Sequence, residues 1–246
     1  MSLARALWRL AAAMIQALLG ALICALWFPF LTPAQRMGHV GRWSARMLRA
    51  LGITLRARGT VHVGPVLIVA NHISWVDILA INAVHPARFV SKADVKHWPF
   101  LGFLVASGGT LFIERERKRD ALRVVHQIAE ALQAGDIVAV FPEGTTSDGH
   151  DVLPFHANLL QAAISTESPV QPVVLRYRDA HSAVSAAPAY VGDTSLAASL
   201  WATVTAEGLV AEVIVENAQG ARHADRRALA EHLRETILGR LKGGSA

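Results

Sequence analysis

The chain has 246 residues, of which 52% are apolar and only 17% charged, and its mean hydropathy is +0.34. That length suits one large domain, or one domain with an appendage. The composition excludes disorder and is rich in apolar residues for an ordinary soluble domain. A single cysteine, Cys24, excludes an intrachain disulfide and a cysteine-rich zinc site. Residues 1–76 hold eight Arg and no Asp or Glu, which leaves 16 of the 24 basic residues to face all 19 acidic ones in the remainder. A basic, apolar front third points away from nucleic acid and toward anionic lipid.

Leu10 to Leu31 contains one strongly polar residue, Gln16. Twenty-two such residues reach across roughly 30 Å of hydrocarbon as a helix. Trp8 and Trp27 stand about 28 Å apart on that helix, a spacing that suits two interfaces. A secretory signal fits less well, because the run is long and no clear cleavage site follows it. Phe28-Pro29-Phe30-Leu31-Thr32-Pro33 breaks the helix. Ala34–Leu51 then alternates Arg36, His39, Arg42, Arg46 and Arg49 with Met37, Val40, Trp43, Met47 and Leu48, as a basic amphipathic surface helix does. The same arginines also read as an ordinary solvated face. Positive charge on both flanks leaves two arrangements open, a true span or a re-entrant anchor with both ends in the cytoplasm.

From residue 53 the pattern changes to short β-rich runs alternating with helical ones. Strands are expected at Val66–Ala70, Arg88–Ser91, Thr110–Ile113, Ile137–Phe141, Val170–Arg176 and Ala211–Val215. Helices are expected near Ile78–Val84, Arg119–Leu132, Phe155–Ile164 and Asp225–Leu241, with a loop at His181–Ala189. Continuous apolar strands between helices predict an α/β domain with a mainly parallel central sheet flanked by helices. The expected division is therefore 1–52, membrane-anchoring helices, and 53–246, the α/β domain.

Chemistry in such sheets gathers where strands end. His72 follows the first apolar strand, and Asp77 lies five residues on. On one continuous helix the two would not share a face. They meet if His72 stands in a turn and the helix begins after it, with Ser74 as N-cap. Asp then fixes the imidazole tautomer and makes His72 a general base for a hydroxyl. A helix-capping His beside a solvated Asp is the plainer reading. Metal binding is a third, although no H-E-x-x-H or H-x-H spacing occurs, and no metal site is expected. No G-x-S-x-G elbow is present, so direct transfer fits better than a covalent acyl-enzyme.

Two further junctions suit an anion. Arg115 ends a strand, where a guanidinium can clamp a phosphate. Phe141-Pro142-Glu143-Gly144-Thr145 ends another, and Gly144 lets backbone N–H groups approach a ligand. Glu143 accepts from an acceptor hydroxyl, balances an Arg, or is a solvated turn carboxylate. Between these junctions, Trp98–Val105 is nearly wholly apolar and reads as an acyl groove or as core.

In this order the segments resemble the glycerolipid acyltransferase family, lysophosphatidic acid acyltransferase type. That family carries N-H-x4-D, G-x-x-F-I-x-R, F-P-E-G-T and an apolar Val-Pro strand. Here these are Asn71-His72 to Asp77, Gly109 to Arg115, Phe141 to Thr145, and Val170-Gln171-Pro172-Val173. Lys92, Pro99 and Gly102 also match, and the resemblance covers residues 60–180. It implies that His72 deprotonates the free hydroxyl of a lyso-lipid and that Asp77 orients it. The oxygen then attacks the thioester of acyl-CoA or acyl-ACP, with no other cofactor. Arg115, Glu143, Gly144, Thr145 and Lys92 become acceptor-binding residues, on an enzyme held at the cytoplasmic membrane with its catalytic domain on the cytoplasmic side. One position departs: Thr146 stands where members using 1-acyl-glycerol-3-phosphate commonly carry Arg. Relatives acting on lyso-ornithine lipid are similar there. Outside the class stand a lipid hydrolase and a noncatalytic lipid-binding protein.

Overall fold

The computed structural model describes residues 2–97, 100–113 and 118–243. Helix α1 (Leu3–Leu26) ends in a 3-10 turn at Phe28–Phe30, where Pro29 removes a donor. Helix α2 (Pro33–Ala50) starts on a capping box. Gln35 N donates to Thr32 Oγ1 and Thr32 N donates to Gln35 Oε1, and Pro33 occupies the first turn. The two helices pack as a hairpin. Gly20 makes room for the Trp43 indole, whose Nε1 donates to the Gln16 carbonyl at 2.8 Å. Only Ala6, Ala13 and Gly20 of α1 are buried, a small-residue stripe at helical spacing.

The strands are β1 (Thr54–Arg58), β2 (Val66–Ala70), β3 (Arg88–Lys92), β4 (Leu111–Ile113), β5 (Ile137–Val140), β6 (Val170–Arg178) and β7 (Val210–Val215). They form one sheet in the order β1-β7-β6-β2-β5-β3-β4. Every neighbouring pair is parallel except β6 with β7. Helices α3 (Val76–Val84), α4 (Leu101–Ser107), α5 (Lys118–Gln133), α6 (Gln161–Ser165), α7 (Leu196–Thr205) and α8 (Arg226–Lys242) complete the chain.

Strand β2 is buried on both faces, which explains its unbroken apolar run. Val66, Ile68 and Ala70 join a core with Met47, Leu48, Val76, Leu79 and Val204 from α2, α3 and α7. Leu67 and Val69 face a second core with Ile128, Ala162 and Leu233 from α5, α6 and α8. Ala6 and Ala13 of α1 and Leu48 and Leu51 of the α2 end belong to the first core, so the N-terminal hairpin is part of the packed molecule.

Among the described residues, β1, α4, α7 and a 3-10 helix at Ala93–His97 were not expected. Strand β1 is an edge strand with an exposed, arginine-bearing pattern, so the alternation that marks a half-buried strand is missing. Helix α4 forms inside the apolar stretch read as groove or core. The expected helix at Phe155–Ile164 is a 3-10 turn at Ala157–Leu160 followed by the short α6.

Candidate active site

The site lies where β2, β5 and β6 end. Asn71 makes the departure from β2 possible. Its side chain accepts from Leu175 N at 2.8 Å and donates to Leu175 O at 3.0 Å. The amide thus continues the ladder to β6 by one step while its own backbone turns away. His72 stands in that turn and α3 begins at Val76. Ser74 is not the N-cap: that position falls to Trp75, which makes no side-chain cap. The Ser74 hydroxyl accepts from Val76 N at 3.2 Å instead.

Asp77 sits in the first turn of α3 and is fully buried. His72 Nδ1 lies 2.8 Å from its Oδ2. The same oxygen accepts from Ile73 N at 2.6 Å and Ser74 N at 2.9 Å. Its Oδ1 accepts from the Tyr177 hydroxyl at 2.7 Å. The turn therefore brings together two side chains that a continuous helix would have separated. The imidazole stacks on Phe141, with ring centroids 4.0 Å apart and planes 8° apart. Packing and the Asp77 bond both fix its orientation, and Nε2 has no protein partner among the described residues.

Glu143 is only 4% exposed, so it is not a solvated turn carboxylate, and it is not among the residues that line the cavity beside His72. Oε1 accepts from His72 N at 2.6 Å and Oε2 from Leu153 N at 2.8 Å. Burial pushes its carboxyl up to about 7, against the opposing pull of those two amides and of His72. Gly144 takes φ 71°, and its N–H closes the turn onto Phe141 O at 3.1 Å. Ser147 N donates to His72 O at 2.7 Å, so the two turns are cross-linked. The Thr146 hydroxyl donates to Tyr190 O, and Tyr190 N donates to Ile73 O at 3.0 Å. The 190 segment therefore clasps both turns.

A cavity of about 1040 Å³ opens against His72. Gly144, Thr145, Thr146 and Tyr190 line it near the pair, and Ile78, Leu79, Phe89, Leu101, Leu104, Trp43 and Ile23 continue it as an apolar passage under α1 and α2. Leu101, Leu104 and Val105 thus give the apolar stretch a place in the cavity wall. Lys92 ends β3, and its side chain lies outside the described residues, as does all of Arg115. Tyr177, Tyr190 and Trp75 were not singled out from the sequence. Trp75 lines the cavity and donates from Nε1 to Ser199 Oγ of α7 at 3.0 Å.

An α/β sheet that presents a His–Asp pair to a deep apolar cavity has the architecture of an acyl-transfer enzyme acting on lipid. The acyltransferase family profile matches residues 52–176. The chain is 39% identical to the 1-acyl-sn-glycerol-3-phosphate acyltransferase of Neisseria gonorrhoeae, over 76% of this chain and 73% of that one. It is 34% identical to the lyso-ornithine lipid O-acyltransferase of Pseudomonas aeruginosa, over 83% of this chain and 78% of that one. The fold matches the crystal structure of the 1-acyl-sn-glycerophosphate acyltransferase from Thermotoga maritima with a TM-score of 0.66, at 17% identity, covering 96% and 97% of the two chains. The chain belongs to the acyltransferase family and is an acyltransferase.

Proposed function

We propose that the protein transfers a fatty acyl chain from acyl-CoA or acyl-ACP to the free hydroxyl of 1-acyl-sn-glycerol-3-phosphate, giving phosphatidic acid. One observation carries this reading: His72 is bonded through Nδ1 to Asp77 and lines a mainly apolar cavity of about 1040 Å³. His72 Nε2 takes the hydroxyl proton as the oxygen attacks the thioester carbonyl. The tetrahedral intermediate collapses, the C–S bond breaks, and the thiolate leaves with the proton from the imidazolium. The step needs no further cofactor. Arg115, Lys92, Gly144 and Thr145 bind the acceptor, and the Thr145 hydroxyl has no protein partner among the described residues. Glu143 acts from beneath, by holding the His72 backbone.

Residues 1–52 form the membrane anchor, and 53–246 carry the chemistry. The outer face of α1 exposes Leu3, Leu7, Trp8, Leu18, Leu22 and Leu26. Its other face is tied to the domain along its length. Arg9 Nη1 donates to Val204 O at 3.0 Å and Ala206 O at 2.9 Å at the C-terminal end of α7, and α1 also contacts α4. A helix held flat in this way supports the one-leaflet arrangement, with the domain on the cytoplasmic side beside the basic flanks.

A second acceptor, lyso-ornithine lipid, is favoured by Thr146, whose hydroxyl is spent on the Tyr190 carbonyl. The test is an assay of purified protein with oleoyl-CoA against a panel of lyso-lipids. Phosphatidate is the expected product. Acylation of lyso-ornithine lipid alone selects the second acceptor, and release of free fatty acid with no acylated lipid overturns acyl transfer.

A further inference from the structure

We propose that Tyr177 is a positioning residue for acyl transfer, holding Asp77 through the carboxylate oxygen that His72 does not use. The proposal rests on the reading of His72 as the base. Asp77 Oδ2 takes three donors, the His72 ring and the amides of Ile73 and Ser74. Oδ1 takes one among the described residues, Tyr177 Oη at 2.7 Å.

The placement follows from strand periodicity. Val173, Leu175 and Tyr177 alternate along β6 and all three belong to the core shared with α3. Tyr177 is 2% exposed, so its hydroxyl needs a partner, and Asp77 is the partner it has. Burial, then the neighbouring carboxylate, raises the phenol well above its usual value, so it stays a donor throughout the working pH range.

This bond has a catalytic consequence. When His72 takes the hydroxyl proton, positive charge appears next to Oδ2. Tyr177 draws part of the carboxylate's charge toward Oδ1 and stops the carboxylate rotating about Cβ–Cγ. Without the phenol, Oδ1 is a buried acceptor with no donor, and the group turns to find one. Oδ2 then shifts within its bond to Nδ1 without leaving it, since the Ile73 and Ser74 amides still hold it, and the imidazole loses its fixed aim at the acceptor. Among the described residues, the ionisable groups facing the pair are Glu143 from the turn after β5 and Tyr177 from β6.

The test compares steady-state kinetics and pH profiles of acyl transfer in the full-length protein. Tyr177→Phe is expected to lower kcat about tenfold while the acceptor KM stays within about twofold. The acid limb of kcat/KM should move up by a few tenths of a pH unit, because more carboxylate charge then faces the imidazolium. A probe that leaves packing nearly unchanged is available because the chain has two tyrosines, Tyr177 and Tyr190. In a Tyr190→Phe background, global 3-fluorotyrosine marks Tyr177 alone. The more acidic phenol should move the acid limb down relative to that background. His72→Ala is run in parallel. Full turnover there removes the base reading and this proposal with it. A slowed His72→Ala, with kcat and the acid limb unmoved by either change at Tyr177, overturns the proposal alone and leaves Tyr177 as packing.

Discussion

The backbone amide of His72 donates to Glu143 Oε1 across 2.6 Å, while Oε2 of the same carboxylate receives Leu153 N at 2.8 Å. One buried carboxyl thus joins the turn after β2 to the segment leading toward α6. Glu143→Gln offers one acceptor and one donor, so one of the two amides loses its bond and meets an N–H instead. We expect kcat to fall about tenfold through a displaced His72. The group also predicts a pH trend. Its carboxyl sits at about 7 in the folded protein, above the 4.5 of a free glutamate. The folded state therefore holds this proton more tightly than the unfolded state does. The contribution is fully present below 4.5 and is lost as pH rises through about 7. Relative to Glu143→Gln, the native protein should lose on the order of 3 kcal/mol between those limits. Paired denaturant melts across pH measure this difference, and a difference that grows with pH contradicts it.

His72→Ala and Asp77→Asn should each lower turnover by at least about a hundredfold. Their effects on the fold should differ in a defined way. His72 is bonded at the edge of the cavity, and its loss leaves Asp77 with three donors. Asp77→Asn can keep its oxygen on the His72 side if the new amide donates to Tyr177. The phenol hydrogen then lacks an acceptor, at a cost of about 1–3 kcal/mol. Circular dichroism melts beside initial rates check both halves. A variant that folds and turns over normally removes its residue from the mechanism.

The strands and the pair were legible in the sequence for a physical reason. β2 and β5 are covered on both sides, so their apolar runs are unbroken, and His72 and Asp77 could meet only if a turn preceded α3. The parts that were not legible depend on tertiary partners. Tyr177 looks like any aromatic residue in a strand, and only the fold brings its hydroxyl to Asp77. Glu143 lies in a turn, where carboxylates are usually solvated, and its burial comes from His72 and Leu153. Helix α7 has no acidic or basic residue and a mixed face, so its periodicity is weak.

Thr146→Arg tests how the acceptor is chosen. The hydroxyl ties the turn after β5 to Tyr190 O, and Tyr190 N is tied to Ile73 O. An arginine has no hydroxyl to repeat that bond, but it adds a bidentate phosphate donor in the cavity wall. We expect kcat/KM for 1-acyl-glycerol-3-phosphate to rise relative to lyso-ornithine lipid by about tenfold, and thermal stability to fall slightly. Thr146→Val serves as the control, since it breaks the Tyr190 link and adds no charge. If both variants shift the acceptor ratio equally, charge at this position is not the discriminator.

The anchor has to be tested without removing it. Deleting residues 1–52 would strip Leu48 and Leu51, each 1% exposed, from the core around β2, and would yield misfolded protein whatever the membrane contact. The informative change is on the outer face of α1, where Leu7, Leu18 and Leu22 are 51%, 56% and 53% exposed and contribute little to the core. Replacing all three with Gln removes about 1.5–3 kcal/mol of apolar transfer per side chain from a bilayer contact. Binding to anionic phosphatidylglycerol vesicles should fall by at least about a hundredfold, with thermal stability unchanged in detergent. Gly20→Leu should do the reverse. Its Cβ would stand 2.5 Å from Trp43 Nε1, so the indole must leave Gln16 and the hairpin must open. That variant should stay with the vesicles but lose stability by about 1–3 kcal/mol. Wild-type vesicle binding by the triple Gln variant would show that another surface holds the enzyme to lipid.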